Sequence, residues 1–171
     1  PWAPRRVGHK ALEEIASKVL RTYWSVASFQ SLYARANDWE VGMAGEPTQL
    51  DRWALSEVHR VTAEVDAALE DFDTQRAGRA LAAYIDDLSN WYVRRSRRRF
   101  WEGDPAALST LHECLHVLTR LLAPFVPFVT EKVWGALFAS TGSVESVHLA
   151  SWPLTDDALI DVNLSEQVAL V

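Results

Sequence analysis

The sequence predicts an all-α fold, an antiparallel bundle of four long helices with a short helix and an irregular C-terminal tail. Apolar residues recur at spacings of three and four along most of the chain, as in amphipathic helices. Glycine and proline number only seven each in 171 residues, which disfavours a turn-rich β fold. Hydrophobic residues make up 49% of the chain and charged residues 23%, so a folded bundle with a sizeable core is expected rather than disorder.

The first two helices are predicted from their apolar periodicity. The first spans about residues 9–36, and the second spans about residues 49–71 with a clean one-sided apolar stripe. Between them, residues 37–48 contain Gly42 and Gly45 and are expected to form a loop. Two long helices joined by one loop favour an antiparallel pair.

Capping residues define the next two helices. Asp73 or Thr74 is expected to cap a third helix that reaches about residue 100. Asp104 and Pro105 have the pattern of an N-cap followed by the first helical residue, so they predict the start of a fourth helix. That helix carries leucines at helical spacing as far as Leu122.

Prolines shape the C-terminal third. Pro124 and Pro127 predict a bend before a short helix at about residues 128–138. Residues 146–152 alternate between polar and apolar and are expected to be extended, while residues 155–171 have a weak helical pattern. The predicted organisation is a bundle over residues 1–153, followed by a tail or the start of a further element over residues 154–171.

Charge is distributed very unevenly along the chain. The formal net charge is −6, which argues against general attraction of nucleic acid, yet five of the 17 basic residues lie within positions 94–99. From residue 100 onward the balance is −7, with only Arg120 and Lys132 basic. This asymmetry is typical of a protein that contacts phosphates at one place.

The remaining bulk features indicate a cytoplasmic protein. The single cysteine, Cys114, excludes an internal disulfide framework. No apolar run approaches the roughly 20 residues that span a bilayer, and residues 1–6 lack the apolar core of a signal peptide. No membrane partner is therefore expected.

A helical wheel of the third helix divides its five arginines. The apolar stripe continues onto Arg95 and Arg99, whose stems would cover the end of the core. Arg94, Arg97 and Arg98 project toward solvent. A solvated helix end, favoured by the helix dipole, explains one or two such cations, whereas this many adjacent like charges favour contact with phosphate or RNA.

Two tryptophans flank this run. Trp91 falls on the buried stripe and is expected to pack in the core. Trp101 lies just past the run, where it can either anchor the core or stack on a base.

Residues that suggest other chemistry do not form sites. His112 and His116 share a helix face, but Cys114 points elsewhere, so a metal site is not expected. The adjacent Asp86 and Asp87 diverge by about 100° on a helix and more readily balance nearby arginines than act as an acid–base pair. The phosphate-loop, nucleophile-elbow and HExxH motifs are absent. No catalytic and no metal-binding residue is predicted.

Four segments resemble the isoleucyl-tRNA synthetase family, and their order and spacing agree with that family across roughly residues 19–153. The segment 87–101 is similar to that family's signature and differs from the acidic sequence found in the valyl enzymes. The other three resemble segments of the wider isoleucine, valine and leucine subgroup. The segments are LDRW (50–53), DLSNWYVRRSRRRFW (87–101), LAPFVPFVTEKVW (122–134) and VHLASWP (147–153). Ser25 and Gln30 depart from the family pattern on the first helix, and the HIGH and KMSKS motifs and the editing insertion are absent.

The resemblance implies a helical domain that grips the anticodon stem-loop of isoleucine tRNA, as a fragment of a larger ligase. That parent enzyme would use ATP and Mg, and its catalytic and editing domains would be partners in the same chain, while this piece performs no catalysis and needs no cofactor. The expected RNA contacts are Arg94, Arg97, Arg98 and Trp101; the residues expected to be structural or secondary contacts are Arg95, Arg99, Arg52 and Trp91. The alternative is a helical scaffold whose arginines meet an acidic protein surface.

Overall fold

The computed structural model describes residues 8–140 and 144–169, and this part of the chain is helical without strands, which confirms the predicted all-α bundle. The elements in chain order are α1 (His9–Ile15), a π-helical turn (Ala16–Leu20), α2 (Arg21–Ala36), α3 (Gln49–Glu70), α4 (Thr74–Asp87), a second π-helical turn (Leu88–Val93), α5 (Arg94–Trp101), α6 (Pro105–Leu122), α7 (Pro127–Leu137), two 3-10 turns (Val147–Leu149 and Asp157–Leu159) and α8 (Val162–Ala169). Among the described residues, no helix is long and apolar enough to cross a membrane.

The π-helical turns join shorter helices into long ones. Asp87 and Arg94, on either side of the second π turn, both keep right-handed helical backbone angles, so α4 and α5 continue one another. Ile15 and Arg21 do the same around the first π turn. The structure therefore contains the continuous first and third helices that the sequence predicts.

Side-chain caps begin three of the long helices. Thr48 and Asp51 form a capping box at the start of α3, with the Thr48 N–H donating to Asp51 Oδ2 at 2.7 Å. Asp73 caps α4. Asp104 caps α6, and Pro105 occupies its first turn, as predicted.

The core lies between α2, α3, α4 and α6, with α3 packed against both α4 and α6. The largest fully buried side chains include aromatic residues and the α6 leucines. Tyr23 also places its hydroxyl 2.7 Å from Thr119 Oγ1, which links α2 to α6. The fully buried side chains with the largest volumes are Trp134, Tyr23, Tyr92, Phe100, Phe138, Leu81, Ile85, Leu88, Leu108, Leu111, Leu115 and Leu118.

One end of the bundle gathers the C-terminal ends of α2 and α5 and the N-terminal ends of α3 and α6. Asn37 Nδ2 donates to the carbonyl of Phe100 at 3.2 Å, which ties the residue after α2 to the end of α5. Gly103 has φ +72°, and a Cβ there would lie 2.6 Å from Asn37 Oδ1, so the turn after α5 requires glycine. The candidate functional residues lie at and beside this end.

The segment predicted to be extended, residues 146–152, has extended backbone at Ser146 and Ala150 but contains the 3-10 turn Val147–Leu149 between them, so the prediction was wrong for the centre of the segment. Ser146 begins the turn by accepting a hydrogen bond from the N–H of His148 at 3.2 Å. Glu131 of α7 holds it in place, because its carboxylate accepts from Ser146 Oγ at 2.9 Å and from the N–H of Val147 at 3.1 Å. The alternating polarity reflects these anchoring contacts rather than a strand.

The C-terminal tail packs back onto α3. Leu164 is buried, the N–H of Asp161 donates to Ser56 Oγ at 2.8 Å, and Ser165 Oγ donates to Glu57. Part of the tail is helical, in agreement with its weak periodicity. The boundary between bundle and tail at residue 153 stays a prediction.

Candidate nucleic-acid interface

The second π turn changes which residues of α5 face the core. The N–H of Arg94 donates to the carbonyl of Ser89, five residues earlier, so the turn holds one residue more than an α-helical turn. One extra residue rotates everything after it by about 100° relative to an unbroken wheel. Ser96 and Phe100 are consequently buried, and Arg95, which the wheel placed on the buried stripe beside Arg99, is exposed. The predicted position of Arg95 was wrong.

Arg95 packs on an aromatic ring instead of entering the core. Its Cζ atom lies 4.0 Å from the ring centroid of Trp91, a cation–π contact. Trp91 is partly buried and packs against the core, as its place on the predicted stripe suggests. The contact restrains the Arg95 guanidinium at the surface of the helix.

Arg99 lies in a hydrogen-bonded network and is 20% exposed. Its two terminal nitrogens donate to both carboxylate oxygens of Asp51 at 2.8 and 2.7 Å. Its Nε donates to Asp104 Oδ2 at 2.7 Å, and Nη1 also reaches Thr48 Oγ1 at 3.2 Å. Arg99 therefore joins α5 to the first residues of α3 and α6, in the structural position expected for it.

Asp51 is the centre of that network, with none of its side chain exposed. Besides Arg99 it accepts the hydroxyl of Tyr92 at 2.6 Å and the N–H of Thr48 at 2.7 Å. Burial raises the pKa of Asp51, but the hydrogen bonds from Arg99, Tyr92 and Thr48 outweigh it, and the net pKa is lowered. Burial lowers the pKa of Arg99, but its hydrogen bonds to Asp51 and Asp104 outweigh burial, and the net pKa is raised. The pair stays ionised.

The remaining arginines of α5 face solvent. Arg94 and Arg97 make no ion pair among residues 8–140 and 144–169, whereas Arg98 donates to Glu102 at 2.7 Å in an exposed i,i+4 pair. Trp101 is 77% exposed. We call Arg94, Arg95, Arg97, Arg98 and Trp101 the α5 arginine face. It combines densely packed cations with an accessible ring, a combination that suits phosphate contact and base stacking.

Arg52 lies at the same end of the bundle. It is exposed near the start of α3, next to the buried Asp51, and its Nη1 donates to the carbonyl of Pro47 at 3.3 Å. Its proximity to the Arg99 network suits a secondary contact. Contact of Arg52, or of any residue in the α5 arginine face, with RNA stays a prediction.

The His112–Cys114–His116 segment contributes packing. The ring of His116 stacks on Trp134 with centroids 5.3 Å apart, and His112 meets Phe138 edge-on at 4.9 Å. Burial lowers the pKa of each histidine to about 4. Cys114 is buried toward α3, with its Sγ 3.6 Å from the carbonyl of Ala54, and burial raises its pKa to about 12. Within the described ranges, no group of three or more His, Cys, Asp or Glu residues could hold a metal ion.

Asp86 and Asp87 have different surroundings. Asp86 is exposed and accepts from Asn90 Nδ2 at 2.8 Å. Asp87 is half-buried, and its pKa is raised by burial and by the nearby Glu57 and Asp86, against the opposing charge of Arg60. The two carboxylates do not converge on a common site.

The sequence interpretation missed the partners of Arg99. Asp51 entered it only as part of a family motif, and Tyr92 only as an apolar position. A local signal was present, since Thr48 and Asp51 have the spacing of a capping box. Capping, however, explains only one of the roles that Asp51 has in the folded chain.

Comparison with models of known protein families identifies the class of domain to which this chain belongs. Residues 51–171 match the family model described as the anticodon-binding domain of tRNA ligase. This match spans more than half of the chain and includes α3 to α8. The chain belongs to the family of anticodon-binding domains of tRNA ligases.

Similar proteins are isoleucine–tRNA ligases. The chain is 55% identical over 177 residues to the isoleucine–tRNA ligase of Streptomyces avermitilis and 58% identical over 183 residues to that of Thermobifida fusca. Each alignment covers the whole of this chain and 17% of the relative, so the chain spans about a sixth of the relatives' length.

A solved structure shares the fold. The LeuRS of the Agrobacterium radiobacter K84 LeuRS–tRNA–LeuAMS ternary complex superposes with a TM-score of 0.67 over 93% of this chain and 18% of that one. At 20% sequence identity the similarity concerns the fold.

Proposed function

We propose that this chain is the tRNA-recognition domain of an isoleucine–tRNA ligase and binds the anticodon stem-loop of isoleucine tRNA through the α5 arginine face. The proposal rests on one observation: the arginines of α5 have two different positions. Arg99 joins α5 to the first residues of α3 and α6, while the other arginines of α5 remain exposed beside Trp101. Membership of the anticodon-binding family and the similarity to isoleucine–tRNA ligases support the same function.

The parent enzyme would attach isoleucine to its tRNA with ATP and Mg in the cytoplasm. Its catalytic and editing domains would lie elsewhere in the same longer chain, since the relatives extend far beyond the matched part. The contribution of this domain is to bind and orient the tRNA. It would raise the specificity of the ligase by holding a distant part of its substrate.

The α5 arginine face would act through two kinds of contact. Arg94, Arg97 and Arg98 would bind phosphates along the RNA backbone, which positions the RNA without reading its sequence. Trp101 would stack on a base exposed in the loop. Because the whole chain carries a net charge of −6, attraction would be confined to this face and would fall steeply as salt rises.

Fluorescence anisotropy tests the proposal directly. A labelled anticodon stem-loop of isoleucine tRNA and the same stem with a scrambled anticodon are titrated with the 171-residue chain at about 50 and 200 mM salt. We expect tighter binding of the cognate loop, and weaker binding of both RNAs at high salt. The absence of binding to either RNA at low salt would refute RNA recognition by this chain.

A helical scaffold for an acidic protein partner is the second candidate, because exposed arginines also suit clustered carboxylates. The stem-loop titration separates the two. Equal affinity for both loops would reduce the RNA interaction to a contact with the backbone and would favour the scaffold. A cognate preference that is lost when the α5 arginines are replaced would favour the RNA-binding domain.

A further inference from the structure

A groove of about 290 Å³ lies between α2 and α7, which pack side by side. From α2 it is lined by Trp24, Ser28 and Leu32, whose spacing of four places them on one face of the helix. From α7 it is lined by Lys132 and Ala136, which have the same spacing. The groove therefore follows one stripe of each helix. We call it the α2–α7 groove.

The middle of the α2–α7 groove is built from small side chains. Ala27 and Val133 are buried beneath it and belong to the core. Ser28, Ser31 and Ala136 line it, and side chains this short allow another helix to approach closely. A groove of this form suits an amphipathic helix that lies along it with its apolar face inward.

Large apolar side chains on the same two stripes are exposed to solvent. Trp24 is 45% exposed and Leu32 is 64% exposed. Phe128 lies four residues before Lys132, on the same face of α7, and is 89% exposed. Single exposed apolar residues are ordinary on a protein surface, whereas several on the helices of one groove mark an interface.

The charges of the α2–α7 groove select the kind of helix that fits it. Arg35 of α2 and Lys132 of α7 line the groove, and both are exposed. Among the described residues that line it, none is acidic. A helix with carboxylates beside its apolar stripe would complement the two cations. A symmetric dimer through this face would instead bring the cations of both copies together, which disfavours self-association.

The relatives of this chain are long enough to supply such a helix. This chain spans about a sixth of their length, and each of them aligns with the whole of it. A helix in the same polypeptide is present at a high effective concentration, so it can occupy a groove too small to hold a free protein. An occupant from the same polypeptide therefore fits the groove better than a separate protein does.

We propose that the α2–α7 groove is an intramolecular docking site, which receives an amphipathic, acidic helix from a part of the ligase outside this chain. Trp24, Leu32 and Phe128 pack against the apolar stripe of that helix, and Arg35 and Lys132 pair with its carboxylates. Docking holds the bundle in one orientation relative to the rest of the enzyme. This inference rests on the proposed function only in taking the chain as part of a longer ligase.

Cysteine labelling compares the α2–α7 groove in two proteins, the full-length ligase that contains this chain and the 171-residue chain alone. Ser28→Cys places a thiol of similar size in the exposed lining of the groove. Ser151→Cys makes the same replacement at an exposed position outside the groove and is the matched control. Reaction with a maleimide is followed for each peptide by mass spectrometry, which separates the new thiol from the buried Cys114.

We expect Ser28→Cys to react at least about tenfold more slowly in the ligase than in the 171-residue chain, because the thiol is reached only when the docked helix opens. Ser151→Cys should react equally fast in both. Adding Leu32→Glu to Ser28→Cys should restore the fast reaction in the ligase, since a carboxylate in the groove repels the acidic helix. Leu154→Glu, at another highly exposed leucine, should not restore it.

Thermal unfolding excludes a trivial cause of the restored reaction. Leu32→Glu should unfold at the same temperature as the wild type in the 171-residue chain, because Leu32 is exposed there. Equal reaction rates of Ser28→Cys in the ligase and in the 171-residue chain would refute the docked helix and leave RNA binding by the α5 arginine face untouched. Loss of RNA binding by the 171-residue chain would refute the proposed function, and the labelling result would stand without it.

Photo-cross-linking identifies the occupant of the groove. The full-length ligase is made with p-benzoylphenylalanine in place of Phe128, irradiated and digested. A cross-link within one polypeptide, to a peptide with carboxylates beside an apolar stripe, is the expected result. A cross-link between two ligase chains would assign the groove to a second copy, and a cross-link to RNA would assign it to nucleic acid. Either of these would overturn the proposal.

Discussion

The guanidinium of Arg99 holds both carboxylate oxygens of Asp51, at 2.8 and 2.7 Å, across 48 positions of the chain. This pair joins the end of α5 to the start of α3 and is nearly closed to solvent. Because Arg99 is held in this pair, it is not available to contact a ligand. Five arginines that look alike in sequence thus have different surroundings in the folded chain.

Replacing either member of this pair should destabilise the fold. We expect Arg99→Ala to lower the free energy of unfolding by about 3–5 kcal/mol, because it leaves the buried charge of Asp51 without its counterion. Asp51→Ala should cost less, because Arg99 keeps its ion pair with Asp104. Arg99→Lys should recover only part of this, since an ammonium group cannot make the bidentate contact. Urea unfolding measures all three.

Arg98→Ala and Arg95→Ala are the controls. The exposed Arg98–Glu102 pair should contribute little to stability because solvent screens it, and the contact of Arg95 with Trp91 should contribute about 0.5–1 kcal/mol. Equal destabilisation by Arg95→Ala and Arg99→Ala would contradict the separation of the two residues.

Arg94→Ala and Arg97→Ala should weaken RNA binding without loss of stability. Each removes an exposed cation, so we expect a three- to tenfold loss of stem-loop affinity and a decrease of about 0.7–0.9 in the log–log salt slope. Arg21→Ala, at the opposite end of α2, is the matched control and should leave the affinity unchanged. A similar loss for Arg21→Ala would mean that the RNA responds to overall charge rather than to the α5 arginine face.

Stability should fall on acidification because of His112 and His116. Both have a folded-state pKa of about 4, below the usual 6.5, because burial disfavours the charged rings. Below pH 6.5 the unfolded chain takes up protons that the folded chain refuses. Their contribution is therefore complete above pH 6.5 and lost as the pH falls toward 4, by on the order of 1–2 kcal/mol per ring after solvent screening.

Urea unfolding at pH 7, 5.5 and 4.5 measures this loss. His112→Gln and His116→Gln should flatten the pH dependence, since glutamine does not titrate. His9→Gln, which replaces an exposed histidine of α1, should not. An unchanged slope in both core variants would assign the acid sensitivity to carboxylates.

Replacement of Gly103 and of Gly78 by alanine should change the free energy of unfolding in opposite directions. Gly103→Ala puts a Cβ 2.6 Å from Asn37 Oδ1 on a backbone with φ +72°, so we expect a loss of about 1–3 kcal/mol. Gly78→Ala lies within α4 with nothing within 4 Å of the new Cβ, and should gain about 0.5–1 kcal/mol. Thermal or urea unfolding measures the stability of both variants. A Gly103→Ala variant as stable as the wild type would show that the turn after α5 can adjust.

Helix boundaries could be predicted because their signals are local. Asp104 and Pro105 mark a helix start by their own chemistry, and Pro124 and Pro127 interrupt helices by theirs. The direction of each arginine could not be predicted in the same way. The second π-helical turn was not recognised in the sequence, so the helical wheel was offset by one residue after it. The wheel therefore placed Arg95 at the buried position that Ser96 occupies.

Contacts between residues that lie far apart in the chain also could not be predicted from the sequence. Nothing near Arg99 in the chain indicates that Asp51, 48 residues earlier, completes its environment. The same holds for Gln30, which reaches the carbonyl of Leu108 across 78 residues. A helical wheel assigns a face to a side chain, and only the packing of helices assigns it a neighbour.

The second π turn holds one residue that an α-helical turn would not need. The packing of α4 against α3 is established before Leu88, and everything after Val93 is offset by one position. Loss of a single residue within this turn would convert it into an α-helical turn and leave the arginines on the faces that they occupy now. The turn can therefore absorb a one-residue deletion without any change in the direction of the cationic surface.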